Sequence, residues 1–182
     1  MTGSEPPQPD TPPMAPQQAA GQEGELAEAA SEASMQGRVR LRPMTVADLR
    51  AAMAIEEELF APDTWTEAML RDELSRTKTR HYLVADIDGE VVGYAGLVAY
   101  RDEGHVATLG VRNAFQGRGI GAGLLDALLV EADRRVPRVL LEVRADRPVP
   151  QRLYRSRGFT EVGRRPNYYP LSGTDAVVMA RG

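Results

Sequence analysis

Gln116-Gly117-Arg118-Gly119-Ile120-Gly121 is the stretch on which the fold turns. It separates an extended apolar run, residues 106–111, from a strongly helical run that begins at Ile120. Three glycines within five residues allow the main chain to come very close to a ligand. The helix behind them directs its unpaired N–H groups and the positive end of its dipole at the same place. Such a turn suits a phosphate or pyrophosphate held on main-chain amides. A P-loop is excluded, because Ile120-Gly121-Ala122 supplies neither the lysine nor the hydroxyl that motif requires. A dinucleotide turn fits the letters Gly117-x-Gly119-x-x-Ala122, with Glu142 following as a ribose-binding acid. It fits the placement poorly, because Arg112 to Gln116 intervene between strand and first glycine. A glycine-rich turn with no ligand is the plain alternative.

Outward from the loop, the pattern reads as alternating elements. Residues 39–42 alternate like a strand. Thr45 and Asp48 are spaced to cap a helix that Leu49, Met53, Ile55 and Leu59 carry to about Phe60, where Pro62 breaks it. Thr66 caps a second helix to about Leu74. Strands over 81–86 and 90–100 flank Asp88-Gly89, a strong hairpin turn, and a third strand covers 105–111. A helix over 119–135 carries Ile120, Leu124, Leu125, Leu128 and Leu129 on its apolar stripe and stops at Pro137. Val139-Leu140-Leu141 is a short buried strand, and residues 148–157 form a helix with prolines confined to its first turn and Gly158 as C-cap. Strands near 160–165 and 176–179 complete the order β-α-α-β-β-β-α-β-α-β-β. The crossover helix makes the strands on either side of the glycine loop parallel neighbours.

Composition narrows the chemistry. The chain has 182 residues and no cysteine, which excludes disulfides, thiolate metal sites and a cysteine acyl-enzyme. Histidine occurs only at positions 81 and 105, too sparsely for a metal cluster. No apolar run is long enough to span a membrane and no signal peptide opens the chain, so a soluble cytoplasmic protein is expected. Residues 1–36 hold six acidic and no basic side chains among Pro, Ala and Gln and read as a disordered acidic tail. Since the net charge of the whole is −4, residues 37–182, the expected folded domain, carry +2. That near-neutral body argues against nonspecific nucleic-acid binding.

Read as Gln-x-x-Gly-x-Gly, residues 116–121 resemble the pyrophosphate arm of the GCN5-related N-acetyltransferases (GNAT), which bind acetyl-CoA. Leu141-Glu142-Val143-Arg144, Leu153-Tyr154-Arg155-Ser156-Arg157-Gly158-Phe159 and Arg164-Arg165-Pro166-Asn167-Tyr168-Tyr169-Pro170 look like the RimI subgroup, and Trp65-Thr66 is similar to that subgroup's Trp-Ser helix start. The resemblance covers about residues 39 to 179. It implies an α/β fold with a mixed, mostly antiparallel sheet of about seven strands and helices on both faces. It also implies acetyl transfer from acetyl-CoA to the N-terminal alanine of a small-subunit ribosomal protein, with no membrane or direct nucleic-acid partner and a monomer favoured.

Acetyl transfer to an amine needs a group to take the amine's proton, stabilisation of the carbonyl oxygen and a proton for the thiolate. The resemblance implies Glu142 as base and Tyr154 as acid, twelve residues apart. Burial of Glu142 at a sheet edge is expected to raise its pKa; a surface glutamate paired with Arg144 is the alternative. For Tyr154 the alternative is a core tyrosine spaced with Val149 and Phe159. The resemblance further implies that the main chain of Leu109, Gly110 and Val111 pairs with the pantetheine arm. Gln116, Gly117, Arg118, Gly119, Ile120, Gly121 and Ala122 would hold the pyrophosphate. Arg147 stands where the family often has a CoA-contacting asparagine. Tyr168 and Tyr169, with Asn167, would form one wall of the acceptor site, and Trp65 with the loop 60–64 the other. Another amine (a protein lysine, polyamine or aminoglycoside), a non-catalytic acyl-CoA-binding module and a nicotinamide-dependent oxidoreductase are the competing readings.

Overall fold

The computed structural model describes residues 39–182, so the expected acidic tail, 1–36, lies outside the described residues. Strand β1 is Val39–Pro43, and a 3₁₀ turn, Val46–Asp48, leads into helix α1, Leu49–Phe60. Thr45 and Asp48 do cap this entry: the Thr45 N–H donates to Asp48 Oδ2 at 2.8 Å, and Arg42 adds two further bonds to the same carboxylate. Helix α2, Glu67–Ser75, starts where Thr66 Oγ1 accepts the Met69 N–H. Strands β2 (Arg80–Ile87), β3 (Glu90–Ala99) and β4 (Gly104–Val111) form an antiparallel meander, with Asp88 and Gly89 both at positive φ in its first turn. Helix α3 is Ile120–Ala132, β5 Val139–Arg144, α4 Pro148–Arg155, β6 Thr160–Tyr169 and β7 Thr174–Arg181.

The described strands make one seven-stranded sheet in the order β1-β2-β3-β4-β5-β7-β6. Only β4 and β5 pair in parallel; every other neighbour is antiparallel. Alternation along the strands sends side chains into two cores. Tyr82, Val84 and Tyr94 pack under Leu49, Ala52 and Ile55 of α1 and Leu70 of α2. Leu83, Ala85 and Ala95, on the other face, pack under Leu124, Leu125 and Leu128 of α3, with Tyr154 of α4 and Phe159 in the same cluster. Helix α3 buries Ile120, Leu124, Leu125, Leu128 and Leu129, and α1 buries Leu49 and Ile55, so the sheet is covered on both faces.

One irregularity positions everything that follows. Strands β4 and β5 pair only over Gly104–Val139, His105–Leu140 and Val106–Leu141. Beyond that, β4 continues against β3 to Val111 and β5 continues against β7 to Arg144, but not against each other. The break coincides with a register shift in the β3–β4 ladder, where Leu97 faces Val106 and Gly96 faces Thr108, leaving Ala107 as the extra residue. A bulge bends the strand that carries it. The two central strands therefore splay apart, and the main chain of β4 from 107 to 111 is left with an edge in the middle of a sheet.

Candidate active site

The mouth of the splay is where α3 begins. Gly117 (φ 76°) and Gly119 (φ 78°) sit in the left-handed region, and Gly119 is the N-cap of α3. A Cβ on either would meet nothing within 4 Å, so backbone conformation, not crowding by the protein, calls for glycine at both positions. The loop is braced from inside: Gln116 Nε2 donates to the Val111 carbonyl at 2.9 Å and to Asn113 Oδ1 at 3.3 Å. The Gln116 side chain thus tethers its own loop to the end of β4. Gly121 differs from its neighbours. A Cβ there would touch Val111, Leu109 and Leu153 at ordinary van der Waals distances of 3.7–3.8 Å, on the protein side of the helix. The guanidinium of Arg118 lies over the Phe115 ring, 5.2 Å from its centre. Arg147 is exposed and caps the start of α4. Gly110 has a packing reason of its own, since a Cβ there would press on Leu59, Phe60 and Ile55 of α1 at 3.0–3.2 Å.

These features fit an acyl-CoA. The first four amides of a helix have no intrahelical acceptor, and here they open beside an approachable glycine loop, matching a pyrophosphate. The free edge of β4 offers main-chain donors and acceptors to an amide-bearing, strand-like arm. Leu109, Gly110 and Val111 lie on that edge, and residues 117–122 make the glycine loop and the first residues of α3.

On the α1/α2 side of the splay lies a cleft of about 250 Å³, lined by Trp65, Glu73, His105, Glu142, Tyr168 and Tyr169 among others. Trp65 thus faces the paired tyrosines across the cleft. Tyr168 and Tyr169 meet edge to face, with ring centres 5.1 Å apart. Asn167 is not among the lining residues. It is exposed, with φ 50°, and its N–H donates to Asp175 Oδ1 at 2.9 Å, so it turns the irregular end of β6. Trp65 is fixed through its main chain: its N–H donates to Oε2 of Glu56 at 2.7 Å. Glu56 is fully buried, also accepts from the Tyr94 hydroxyl, and has its pKa raised by desolvation.

Glu142 shares one face of β5 with Leu140 and Arg144, the opposite face from the core residues Val139, Leu141 and Val143. Its side chain is only 7% exposed. One carboxylate oxygen accepts a hydrogen bond from His105 Nε2, and the other lies 3.3 Å from the Arg165 guanidinium. Two expectations are corrected here. The pKa of Glu142 is lowered, not raised: the His105 hydrogen bond outweighs the cost of burial, and the Arg165 charge acts in the same direction. Nor is Arg144 its partner. Arg144 binds Asp146 bidentately at 3.0 Å and reaches Ser172 and Thr174 across the β6–β7 turn.

Tyr154 belongs to the α3/α4 face. It is buried, edge to face with Phe159 at 5.9 Å, and its pKa is pushed up by desolvation with a further contribution from Tyr169, so it stays protonated. The expected spacing with Val149 is not a contact of that core, because Val149 is largely exposed. Tyr169 lines the cleft and influences Tyr154 electrostatically, which links the two faces of the sheet at the splay.

Residues that the sequence pattern did not single out hold the cleft together. Asp63, in the α1–α2 loop, accepts the N–H groups of Leu171 (2.9 Å) and Ser172 (3.2 Å). This ties the Trp65 wall to the tyrosine wall. Removing the Asp63 carboxylate should break both of these hydrogen bonds and loosen the slot. Asp63→Ala is therefore expected to raise the KM for the acceptor about tenfold while the KM for acetyl-CoA changes little, as steady-state kinetics with each substrate varied will show.

A sheet with a single parallel pair, splayed at a bulge and opening onto a glycine-capped helix, defines a class. The chain matches the acetyltransferase (GNAT) family over residues 49–159 and belongs to it. It is an acetyl-CoA-dependent N-acetyltransferase. Among its relatives, the N-alpha-acetyltransferase RimI of Mycobacterium tuberculosis is 42% identical over 148 residues, covering 79% of this chain and 92% of that protein. A putative [ribosomal protein bS18]-alanine N-acetyltransferase of Bacillus subtilis is 31% identical, over 80% of this chain and 96% of its own. The crystal structure of the ribosomal-protein-S18-alanine N-acetyltransferase from Escherichia coli superposes with a TM-score of 0.71 at 30% identity, covering 79% and 92% of the two chains.

Proposed function

We propose that this enzyme acetylates the N-terminal alanine of ribosomal protein bS18, using acetyl-CoA, in the cytoplasm. The observation that carries this reading is the cleft itself: a carboxylate–imidazole pair at the splay, between an aromatic pair and Trp65, in a chain 42% identical to an N-alpha-acetyltransferase. Acetyl-CoA supplies the activated acyl group. Residues 117–122 and the 107–111 edge bind it, and Arg147 adds charge to its phosphates. Glu142 supplies fixed negative charge where the acceptor's ammonium arrives. Tyr154 remains protonated and holds a proton for the thiolate.

Acceptor chemistry favours an α-amine. Its ordinary pKa is about 7.7–8.0, against about 10.4 for lysine, so neutralising lysine costs roughly 3–4 kcal/mol more than neutralising the α-amine. The carboxyl of Glu142, pulled below its usual range, is a weak proton acceptor and suits the easier task. A small first side chain also fits a slot between Trp65 and Tyr168–Tyr169. With acetyl-CoA saturating, peptides of bS18-like sequence beginning with Ala should show the highest kcat/KM, Ser less, and Met little. Equal rates for all three would overturn the alanine assignment.

A further inference from the structure

We infer that His105 is a catalytic residue of this enzyme, the immediate acceptor of the acceptor amine's proton, and that Glu142 acts through it as the orienting carboxylate. The inference rests on the N-acetyltransferase reading but not on which amine is used.

The geometry is that of a base held by an acid. His105 lies on the last stretch of β4 that still pairs with β5, opposite Leu140, two residues before the bulged Ala107. Its side chain is 37% exposed, it lines the cleft, and its Nε2–H donates to Glu142. Among the described residues no hydrogen bond is made by the other ring nitrogen, Nδ1. With Nε2 carrying the hydrogen, Nδ1 of the neutral ring has a lone pair. Glu142 has no comparable freedom, because both its oxygens are engaged, one by His105 and one by Arg165. A carboxylate so placed fixes a tautomer and stabilises an imidazolium better than it abstracts a proton itself.

The proton balance is simple. An N–H bond of the acceptor's ammonium breaks and an Nδ1–H bond forms, leaving a neutral amine and an imidazolium paired with the Glu142 carboxylate. That Nδ1 proton then passes to water at the open side of the cleft, returning the neutral Nε2–H tautomer. The charged or titratable groups facing His105 are Glu142 on β5, Arg165, Tyr168 and Tyr169 on β6, and Glu73 on α2. Glu73 is itself committed to Arg80 at 2.6 Å and to the Tyr82 hydroxyl at 3.0 Å, which leaves Glu142 as the carboxylate that binds the ring.

The test uses the full chain and whichever amine the wild-type protein acetylates, so a wrong acceptor assignment does not affect it. His105→Gln keeps side-chain length and polarity but cannot take a proton near neutrality. At pH 6.5 its kcat/KM for an α-amine peptide should fall about 10- to 100-fold. The deficit should shrink by pH 9, where the amine is already neutral in solution, and acetyl-CoA affinity by calorimetry should be retained. Independently, two-dimensional NMR of the ring nitrogens in the free protein should show the Nε2–H tautomer. Wild-type rates for His105→Gln at pH 6.5, a deficit that does not vary with pH, or the Nδ1–H tautomer would each overturn the inference.

Discussion

Gly119→Val is expected to weaken acetyl-CoA binding about 100-fold while leaving the protein folded. Gly119 has φ 78° and caps α3. A residue with a Cβ pays roughly 1–2 kcal/mol in the left-handed region, and a β-branched one is especially ill suited. Relaxing to negative φ rotates the amides at the helix entrance away from a common point. Hydrogen bonds to a charged group are worth about 1.5–3 kcal/mol each, so losing the alignment of even one brings the total to about 3 kcal/mol, or some hundredfold. The fold tolerates the change because a Cβ at 119 meets no protein atom within 4 Å. Gly121→Ala serves as the comparison: its methyl would rest at 3.7–3.8 Å on Leu109, Val111 and Leu153, away from the mouth, and should cost far less. Calorimetry on both variants decides the point. Unchanged affinity in a folded Gly119→Val protein would remove this loop from cofactor binding.

Glu142→Gln should lower kcat by about 10- to 100-fold, no more than loss of the base it orients, equivalent to about 1.4–2.7 kcal/mol of barrier. The amide can still accept the His105 N–H, so geometry survives. What disappears is the charge that draws in an ammonium and stabilises an imidazolium. The sign of the pH dependence follows from the lowered pKa of Glu142. The carboxylate stays ionised as pH falls towards its ordinary value, so Glu142 does not set the wild-type acid limb. The variant's deficit should be greatest on that limb, where most of the amine must be deprotonated in the site. Acetyl-CoA affinity should hold, because no part of the glycine loop touches this side chain. Rates of Glu142→Gln and wild type that coincide across pH would make the His105–Glu142–Arg165 cluster merely structural.

Local signals in the sequence located most of the fold. Asp88-Gly89 marked its hairpin, Thr66 its cap, and the Leu-rich stripe of α3 its buried face, because each depends on neighbours a few residues away. The parallel β4–β5 pair followed from crossover handedness. What sequence could not display depends on long-range contact. His105 reaches Glu142 across 37 positions, and Asp63 reaches Ser172 across 109. The bulged Ala107 and its neighbours Val106 and Thr108 are neither glycine nor proline, yet the bulge opens the splay. The sign of the Glu142 shift was missed for the same reason: burial is legible in an apolar run, whereas a hydrogen-bond donor on the neighbouring strand is not. Asn167 looked like a wall residue beside two tyrosines, but its left-handed backbone turns it outward from the cleft lining.

If this cleft delivers a free α-amine to acetyl-CoA, the position of the acetyl group on a peptide records it. The most direct measurement is mass-spectrometric mapping of the acetyl group on a bS18-like peptide that begins with alanine and contains an internal lysine. The same peptide with its α-amine blocked is run alongside. Acetyl is expected exclusively on the N-terminal alanine of the free peptide, with no product from the blocked one. Acetyl-lysine in the blocked peptide at a comparable rate would contradict it.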